Sequence, residues 1–255
     1  MKKIVFAFFS LLIICGCAGK PENTLTQIST IDALLAGSYD GQMSCAKLMD
    51  YGDTGIGTFD KLDGEMIILD GKIYQAKSDG KIYCPEMNMT TPLAAVVFFK
   101  SDKNITLTEK TGFGTFIKSI EAAVPNKNIF CAIKAKGFFS KMKVRSVPAQ
   151  KKPYPPLVKV TAKQPVFNLE NVSGTIVGFR NPPFVKGINV PGYHLHFISD
   201  DRQHGGHILD FTMNSGEIQT DSCNCFYMIL PEDSKDFEKI DLSIDRTKEL
   251  EKAEK

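Results

Sequence analysis

The sequence of 255 residues has no low-complexity segment and no basic run longer than a pair such as Lys151-Lys152. Its formal net charge is only +2, from 31 basic and 29 acidic residues. Proteins that bind nucleic acids carry a concentrated basic patch, so this balance gives no support to that function. The hydrophobic fraction of 43% is ordinary for a globular protein. A chain of this length makes one large domain or two smaller ones.

The N-terminus predicts export from the cytoplasm. Met1-Lys2-Lys3 is basic, and the apolar stretch from Ile4 to Ile14 follows it. This stretch is too short to span a bilayer as a stable anchor and is typical of an export signal. Loss of the two lysines leaves a mature protein that is formally neutral.

The export signal ends in Ile14-Cys15-Gly16-Cys17, which resembles the lipobox of bacterial lipoproteins. This resemblance implies that residues 1–16 are a signal peptide and that Cys17 carries lipid. The alternative is an ordinary signal peptide that is cleaved nearby. Residues 17–27 are then expected to be a tether. The predicted location is the bacterial envelope, on its periplasmic or cell-surface side, with the lipid as the only membrane contact.

Cysteines are few after Cys17, and their number is odd. Export permits disulfides, but an odd count leaves at least one thiol unpaired within a monomer. Cys223-Asn224-Cys225 has no second cysteine pair to accompany it, so packing or a disulfide is favoured over a metal site. The cysteines concerned are Cys45, Cys84, Cys131, Cys223 and Cys225.

Short β-prone runs dominate the chain. Asp70-Gly71 and Asp79-Gly80 predict hairpin turns, because Asp-Gly between such runs favours the tight turns of hairpins. The runs predicted as strands are Glu65 to Leu69, Lys72 to Ala76, Lys81 to Cys84, Leu93 to Phe99, Asn128 to Ala135, Ser140 to Val147, Val166 to Arg180, Gly192 to Ser199, His207 to Met213 and Cys225 to Leu230. Helical patterns cover Gly112 to Ala123 and Thr247 to Lys255.

These elements predict an α+β fold in which two β-sheet subdomains are flanked by a few helices. The stretch from Gln150 to Pro156 is rich in Pro and Lys and is the best candidate for a boundary. We therefore expect a mixed α/β sheet domain over residues 28–150. Residues 151–255 are expected to form a β-rich domain that holds a metal site on its strands and ends in a helix. Nothing in the sequence decides the oligomeric state, and a homodimer stays open.

All the histidines lie within one short stretch of the chain. His194 and His196 alternate in a β-prone run, so they are expected on one face of a strand, with Leu195 and Phe197 facing a core. The polar segment before Gly205-Gly206 predicts a hairpin loop, which would return His207 beside the pair. Three imidazoles leave a coordination position open, as in catalytic zinc sites.

Two features limit the metal interpretation. His204 lies in the predicted loop, where exposure to solvent is favoured over metal binding. A lone His-x-His pair is also found on half-exposed strands that bind nothing. The return of His207 by the hairpin is what favours a metal.

Three separate segments of the chain resemble the bacterial alpha-acetolactate decarboxylase family. They are Gly52-Asp53-Thr54-Gly55-Ile56-Gly57-Thr58-Phe59 with Leu62-Asp63-Gly64-Glu65, Arg145-Ser146-Val147-Pro148-Ala149-Gln150 running into Pro153-Tyr154, and Val177-Gly178-Phe179-Arg180 through Gly192 to Arg202 and Gly205-Gly206-His207. They occur in family order, and the resemblance covers nearly everything from about Ile28 onwards. The lipobox is the main departure.

The resemblance implies a zinc enzyme that converts 2-acetolactate to acetoin and carbon dioxide. It places the zinc ligands at His194, His196 and His207, a substrate-binding residue at Thr58, and catalytic residues at Glu65 and Arg145. The family also uses a glutamate near its C-terminus. Glu249, Glu251 and Glu254 compete for that role, and Glu254 is the best match.

The implied reaction needs an acceptor for the electrons that carbon dioxide leaves behind. They flow into the neighbouring ketone, giving an enediolate that zinc on the ketone and hydroxyl oxygens would stabilise. Arg145 can hold the substrate carboxylate or lie near the carbon that is protonated. Glu65 can donate or relay that proton. Taken without the resemblance, both residues are typical of solvated surface positions.

Other functions fit parts of the same pattern. A cupin-type dioxygenase also uses His-x-His with a later His, but it usually supplies a Glu about four residues after the pair, where this chain has Ser199, Asp200 and Asp201. A hydratase or hydrolase can use a three-histidine zinc site. A non-catalytic envelope zinc-binding lipoprotein is the alternative outside enzymes, although such binders often carry a His-rich or acidic loop.

Overall fold

The computed structural model describes residues 22–254. The predicted signal peptide over residues 1–16, the lipidation site at Cys17 and the first part of the predicted tether lie outside the described residues, as does Lys255. Within residues 22–254, no helix combines the length and the apolar character needed to cross a membrane.

Strands are the main regular structure of the described chain, and the helices are few and mostly short. The strands are β1 (Thr24–Ile28), β2 (Met43–Ser44), β3 (Thr54–Thr58), β4 (Glu65–Leu69), β5 (Lys72–Ala76), β6 (Ile82–Tyr83), β7 (Thr90–Thr91), β8 (Ala94–Val97), β9 (Lys103–Leu107), β10 (Thr111–Gly112), β11 (Phe130–Arg145), β12 (Val166–Asn181), β13 (Gly192–Ser199), β14 (Gly205–Cys223) and β15 (Cys225–Ile229). The helices are α1 (Ile31–Leu35), α2 (Cys45–Leu48), α3 (Phe113–Ala123), α4 (Leu157–Thr161), α5 (Lys235–Glu238) and α6 (Thr247–Glu254). The α+β prediction is confirmed, since this is a multi-sheet structure with few helices.

The first sheet has seven strands in the order β15-β1-β8-β3-β4-β5-β6. Its β4–β5 hairpin turns at Asp70-Gly71, where both residues have positive φ, 49° and 76°. Such a turn matches the natural twist of the flanking strands. The Asp-Gly pair in the sequence therefore predicted where β4 ends and where β5 begins. β4 lies inside the sheet and begins at Glu65, and the candidate site lies at this end of the strand.

The second sheet contains six strands, four of which close into a ring. Its order is β10-β14-β11-β12-β13, β9 pairs with β14, and a further pairing joins β13 to β14. The long strands β11, β12 and β14 thus form a ring with β13. Apolar side chains from all four strands fill its interior, among them Phe139, Phe197 and Phe211.

The predicted division at residue 150 does not separate the two sheets. The second sheet takes β9, β10 and β11 from the chain before residue 150, and the first sheet takes β15 from beyond it. Thr24 to Gln27, which the sequence placed in the tether, form β1 and pair with both β15 and β8. The local pattern missed these pairings because the partners lie far apart in the sequence.

None of the cysteines among the described residues forms a disulfide. Cys223 is fully buried in the apolar layer between the two sheets. Cys225 begins β15, so the two cysteines of the Cys223-Asn224-Cys225 segment belong to different sheets. Packing, one of the two roles predicted for Cys223, is therefore what the structure gives.

Candidate metal centre and active site

The histidine pair lies on β13, as its alternation with apolar residues predicts. Leu195 and Phe197 are buried inside the second sheet, so His194 and His196 project from its other face. β14 returns antiparallel to β13, and His207 lies directly opposite His196 in the register. The hairpin prediction is confirmed.

Gly206 makes the close return of β14 possible. Its φ is +148°, and a Cβ there would lie 2.4 Å from the carbonyl oxygen of Arg145. A side chain cannot fit at that distance, so this position needs glycine. The same close approach brings the end of β11, with Arg145, beside His207 in the register.

The nitrogen atoms of His194, His196 and His207 that could bind a metal lie within 4.8 Å of one another. The ring centroids are 5.0 to 5.5 Å apart. His196 and His207 are buried and His194 is half-buried. His204, by contrast, is exposed in the hairpin loop, as predicted. The structure thus brings together the three histidines that the sequence singled out and leaves the fourth apart.

The His196 ring fits a metal ligand. Its Nδ1 lies 2.9 Å from the carbonyl oxygen of Met66, which selects the tautomer with the proton on Nδ1. Its Nε2 is buried and has no hydrogen-bond partner among the described residues. A buried nitrogen that has no hydrogen-bond partner is unfavourable unless another group accepts its lone pair. A metal ion would accept it.

The three imidazoles are also in the protonation state that metals bind. Burial, with the nearby positive charge of Arg145, lowers the pKa of His194 to about 3. Burial is also the main cause that lowers the pKa values of His196 and His207 well below their usual range. Neutral imidazole is the form that donates a lone pair to a metal, so these shifts favour coordination at neutral pH.

Glu65 lies at the first position of β4, facing the histidines from the other sheet. Its Oε2 is 3.6 Å from Nε2 of His196, and the residue is buried. Burial raises the pKa of Glu65 to about 8; Arg145 opposes this rise and Glu254 adds to it. This direction favours the protonated carboxyl, which is the form that can act as a proton donor.

Glu254 reaches the site from the last turn of α6. Its Oε2 lies 3.6 Å from Nε2 of His207, and its Oε1 lies 3.8 Å from Nη2 of Arg145. Burial raises its pKa, and Arg145 acts in the opposite direction. Glu251 lies on the exposed side of the same helix. Of the competing C-terminal glutamates, Glu254 is the one that contacts the histidine cluster.

Arg145 joins these groups. It is buried at the end of β11, and its Nη1 donates a hydrogen bond to the carbonyl oxygen of Ala253 in α6. Its Nε is buried without a partner among residues 22–254. The guanidinium therefore holds α6 with one nitrogen and has another buried donor without a partner among the described residues.

Thr58 is the last residue of β3 and pairs with Glu65 across the sheet. Its hydroxyl is buried and donates to the carbonyl oxygen of Gly64 at 2.7 Å. The hydroxyl oxygen can still accept a hydrogen bond, because donation leaves its lone pairs available. The structure thus places Thr58 at the site edge with its donor already committed to the backbone.

A cavity of about 50 Å³ lies among these groups, and its polar lining includes Thr58, Glu65, Arg145, His194, His207 and Glu254. At roughly 10–15 Å³ for each water, it suits a small ligand. Sequence reasoning missed its apolar wall, because the wall comes from α1, α4 and loop positions, and helices of five residues are too short to show a period. The residues of this apolar wall are Ile31, Leu34, Leu62, Leu93, Val147 and Leu157.

Comparisons with known proteins show the family of this chain. The family model of alpha-acetolactate decarboxylase matches residues 25–244. The alpha-acetolactate decarboxylase of Methanosarcina mazei is 47% identical, over 92% of this chain and 81% of its own length. That of Bacillus subtilis is 42% identical, over 78% of each chain. The crystal structure of the B. subtilis strain 168 enzyme superposes with a TM-score of 0.88 at 38% identity, covering 91% of this chain and 99% of the other. The chain belongs to the alpha-acetolactate decarboxylase family, whose members are carbon–carbon lyases.

Proposed function

We propose that this protein decarboxylates 2-acetolactate to acetoin and carbon dioxide, and that it uses a zinc ion held by His194, His196 and His207. The observation that carries the proposal is the buried, unpartnered Nε2 of His196 within a cluster of three neutral histidines. Family membership supports the reaction. The three-nitrogen ligand set supports zinc, which favours imidazole and keeps an open position in catalytic sites.

When bound, zinc supplies a Lewis acid for substrate oxygens. Loss of carbon dioxide leaves an electron pair on carbon, and this pair passes into the adjacent ketone to give an enediolate. The protein must therefore hold the substrate carboxylate, keep water out and return one proton to carbon. Side chains around the cavity can perform each of these tasks.

Arg145 is the proposed carboxylate ligand. Its buried guanidinium is fixed by the Ala253 carbonyl, and its unpartnered Nε can donate to an anion. Glu65 is the proposed proton donor, since it is buried beside His196 and lines the cavity. Thr58 is positioned to accept a hydrogen bond from the substrate. Glu254 closes the site from α6, where the helix limits access of water.

The decisive experiment is an acetoin assay on purified protein beginning after Cys17, combined with metal analysis. We expect about one zinc per chain, acetoin formation from 2-acetolactate, loss of that activity with a chelator, and its return with zinc. Zinc-loaded protein that forms no acetoin would refute the proposed reaction. Full activity in protein that holds a different metal and no zinc would refute the choice of zinc alone.

Glu65→Gln and Arg145→Ala should each retain zinc yet lower kcat for acetoin formation by about a hundredfold or more, the usual scale for loss of a general acid at Glu65 and of an electrostatic contact at Arg145. Both residues lie beside the cavity without belonging to the histidine cluster. Steady-state kinetics with metal analysis measures both effects. Glu170→Gln is the control, because Glu170 is an exposed glutamate on β12. Near-normal turnover in either variant would remove that residue from the proposed mechanism.

We also propose that Cys17 carries lipid and anchors the enzyme to the envelope. Cys17→Ser should then release soluble, active enzyme, while the parent protein stays with the membrane fraction. Stable attachment needs more than one acyl chain, and a lipoprotein receives several. Mass spectrometry of the mature N-terminus tests this, and an unmodified N-terminus would exclude the anchor.

A further inference from the structure

Glu65 and Arg145 belong to different sheets, yet a buried hydrogen bond beside them joins the two sheets. We infer that Ser146 is a positioning residue that holds the start of β4, and with it Glu65, in register with Arg145. This inference rests on the proposed roles of Glu65 and Arg145. It assigns Ser146 a role in turnover without contact with the substrate.

Ser146 directly follows Arg145 and has no exposed surface. Its hydroxyl donates to the carbonyl oxygen of Ala76 at 2.7 Å. Its backbone N–H donates to the carbonyl oxygen of Pro165, the residue before β12, at 3.3 Å. Because Arg145 and Ser146 share a peptide bond, any movement of Ser146 also moves the base of the Arg145 side chain. The hydroxyl therefore fixes the end of β11 against the end of β5.

Ala76 is the residue that passes this constraint to Glu65. The two residues face each other across the β4–β5 pair. The Ala76 carbonyl oxygen also packs against Gly64, the residue before Glu65, since a Cβ on Gly64 would lie 2.4 Å from that oxygen. Gly64 has φ +85°, which suits glycine and leaves no room for a side chain. The oxygen that accepts from Ser146 thus lies against the turn that aims Glu65.

Other polar contacts hold the same turn and show that its position is fixed from several sides. The N–H of Gly64 donates to the carbonyl oxygen of Val147 at 3.1 Å, which is a second link to the segment after Arg145. The buried amide of Gln75 donates to the carbonyl oxygen of Asp63 at 2.6 Å. Residues 63–65 and residues 145–147 are therefore joined directly by a backbone hydrogen bond. Ser146 adds an indirect connection, because its hydroxyl holds Ala76, which pairs with Glu65.

Ser146→Ala removes the hydroxyl and leaves the Ala76 carbonyl without this donor. Catalytic groups that shift by about 1 Å can lose up to a hundredfold in rate. We expect kcat to fall about tenfold while KM stays within about twofold, because the variant misplaces a group that acts in the transition state and removes no substrate contact. Zinc content should be unchanged.

The control for a purely structural effect is Thr111→Val. Thr111 is also buried, and its hydroxyl donates to the carbonyl oxygen of Glu109 at 2.8 Å, on β10 of the second sheet. This variant should lower the melting temperature and leave kcat within about twofold of the parent at 25 °C. Gln75→Met tests the same turn from its other side. It decides the question if Ser146→Ala does not fold, and we expect it to lower kcat about tenfold as well.

A double-mutant cycle separates positioning from general destabilisation. In the Glu65→Gln background, adding Ser146→Ala should lower kcat by less than about twofold, because the group that Ser146 positions is already gone. Equal loss in both backgrounds, or normal kcat in folded Ser146→Ala and Gln75→Met, would overturn the inference. Normal turnover of Glu65→Gln and Arg145→Ala themselves would instead overturn the proposed function on which it rests.

Discussion

Replacement of His196 by Ala is expected to remove bound zinc and to lower acetoin formation by about a thousandfold or more, the upper range for loss of an electrostatic catalyst. The ring is fully buried, its Nδ1 is held by the Met66 carbonyl, and its Nε2 has no hydrogen-bond partner among the described residues. Two imidazoles cannot supply the three protein ligands of a catalytic zinc site. Metal analysis by mass spectrometry and the acetoin assay measure both effects.

Folding of the His196→Ala variant has to be shown separately, because the change leaves a buried gap and a free carbonyl. Circular dichroism and the melting temperature serve this purpose. The matched control is His204→Ala, since His204 is the remaining histidine and is exposed in the loop of the same hairpin. It should keep both zinc and activity. Full zinc occupancy in folded His196→Ala would mean that the ligand assignment is wrong.

Deletion of residues 249–255 should lower acetoin formation by about a hundredfold while zinc stays bound, a loss typical of removing a group that acts on the reacting atoms. Leu250 and Ala253 of α6 are buried among apolar side chains of α1 and α4, so this end of the chain is docked. Docking places Glu254 beside His207 and provides the Ala253 carbonyl that holds Arg145. The histidines lie on β13 and β14 and do not depend on the helix.

Two point variants separate the carboxylate of α6 from the packing of the helix. Glu254→Gln keeps the apolar face and should still lose most turnover. Glu251→Gln changes an exposed glutamate one turn away and should behave like the parent enzyme. If the truncated enzyme turns over at the full rate, α6 has no catalytic role and Glu254 is a surface residue near the site.

Where the local pattern was strong, the sequence predicted the fold well. β4, β5 and β13 begin and end where the sequence indicated, because Asp-Gly turns and alternation act within a few residues. Asn128 to Ala135 and Ser140 to Val147 were predicted as two strands but form one, β11. Its middle residues, around Gly137, are partly exposed and contain register irregularities, so the apolar alternation is interrupted while the backbone pairing continues.

Strands whose partners are distant could not be located in this way. β1 was placed in the tether, since a five-residue stretch with three polar side chains carries little signal. β3 contains Gly55 and Gly57, which weaken any strand pattern, and each lies so close to β8 that a Cβ would collide with its backbone. These glycines are explained by the neighbouring strand, which only the folded structure reveals.

The residues of the candidate site also divide into those that a local pattern predicts and those that it does not. The spacing of His194, His196 and His207 was enough to predict that they lie together, because a strand and a hairpin are local structures. Glu65, Arg145 and Glu254 were located through family resemblance, and the structure places them around the histidines. The Met66 carbonyl and the apolar wall of the cavity were missed. A backbone carbonyl has no residue type, so no sequence pattern identifies it.

The pairing of β1 with β15 also determines when this molecule can fold during synthesis. The first sheet begins at Thr24, but its edge strand ends at Ile229. The site likewise collects Thr58, Glu65 and Glu254 from distant parts of the chain. Contacts between distant residues form slowly, and partly made chains expose unpaired strands in the meantime. A ribosome that has made only the first half of the protein therefore carries a first sheet that lacks β15 and a site that lacks its histidines and Glu254.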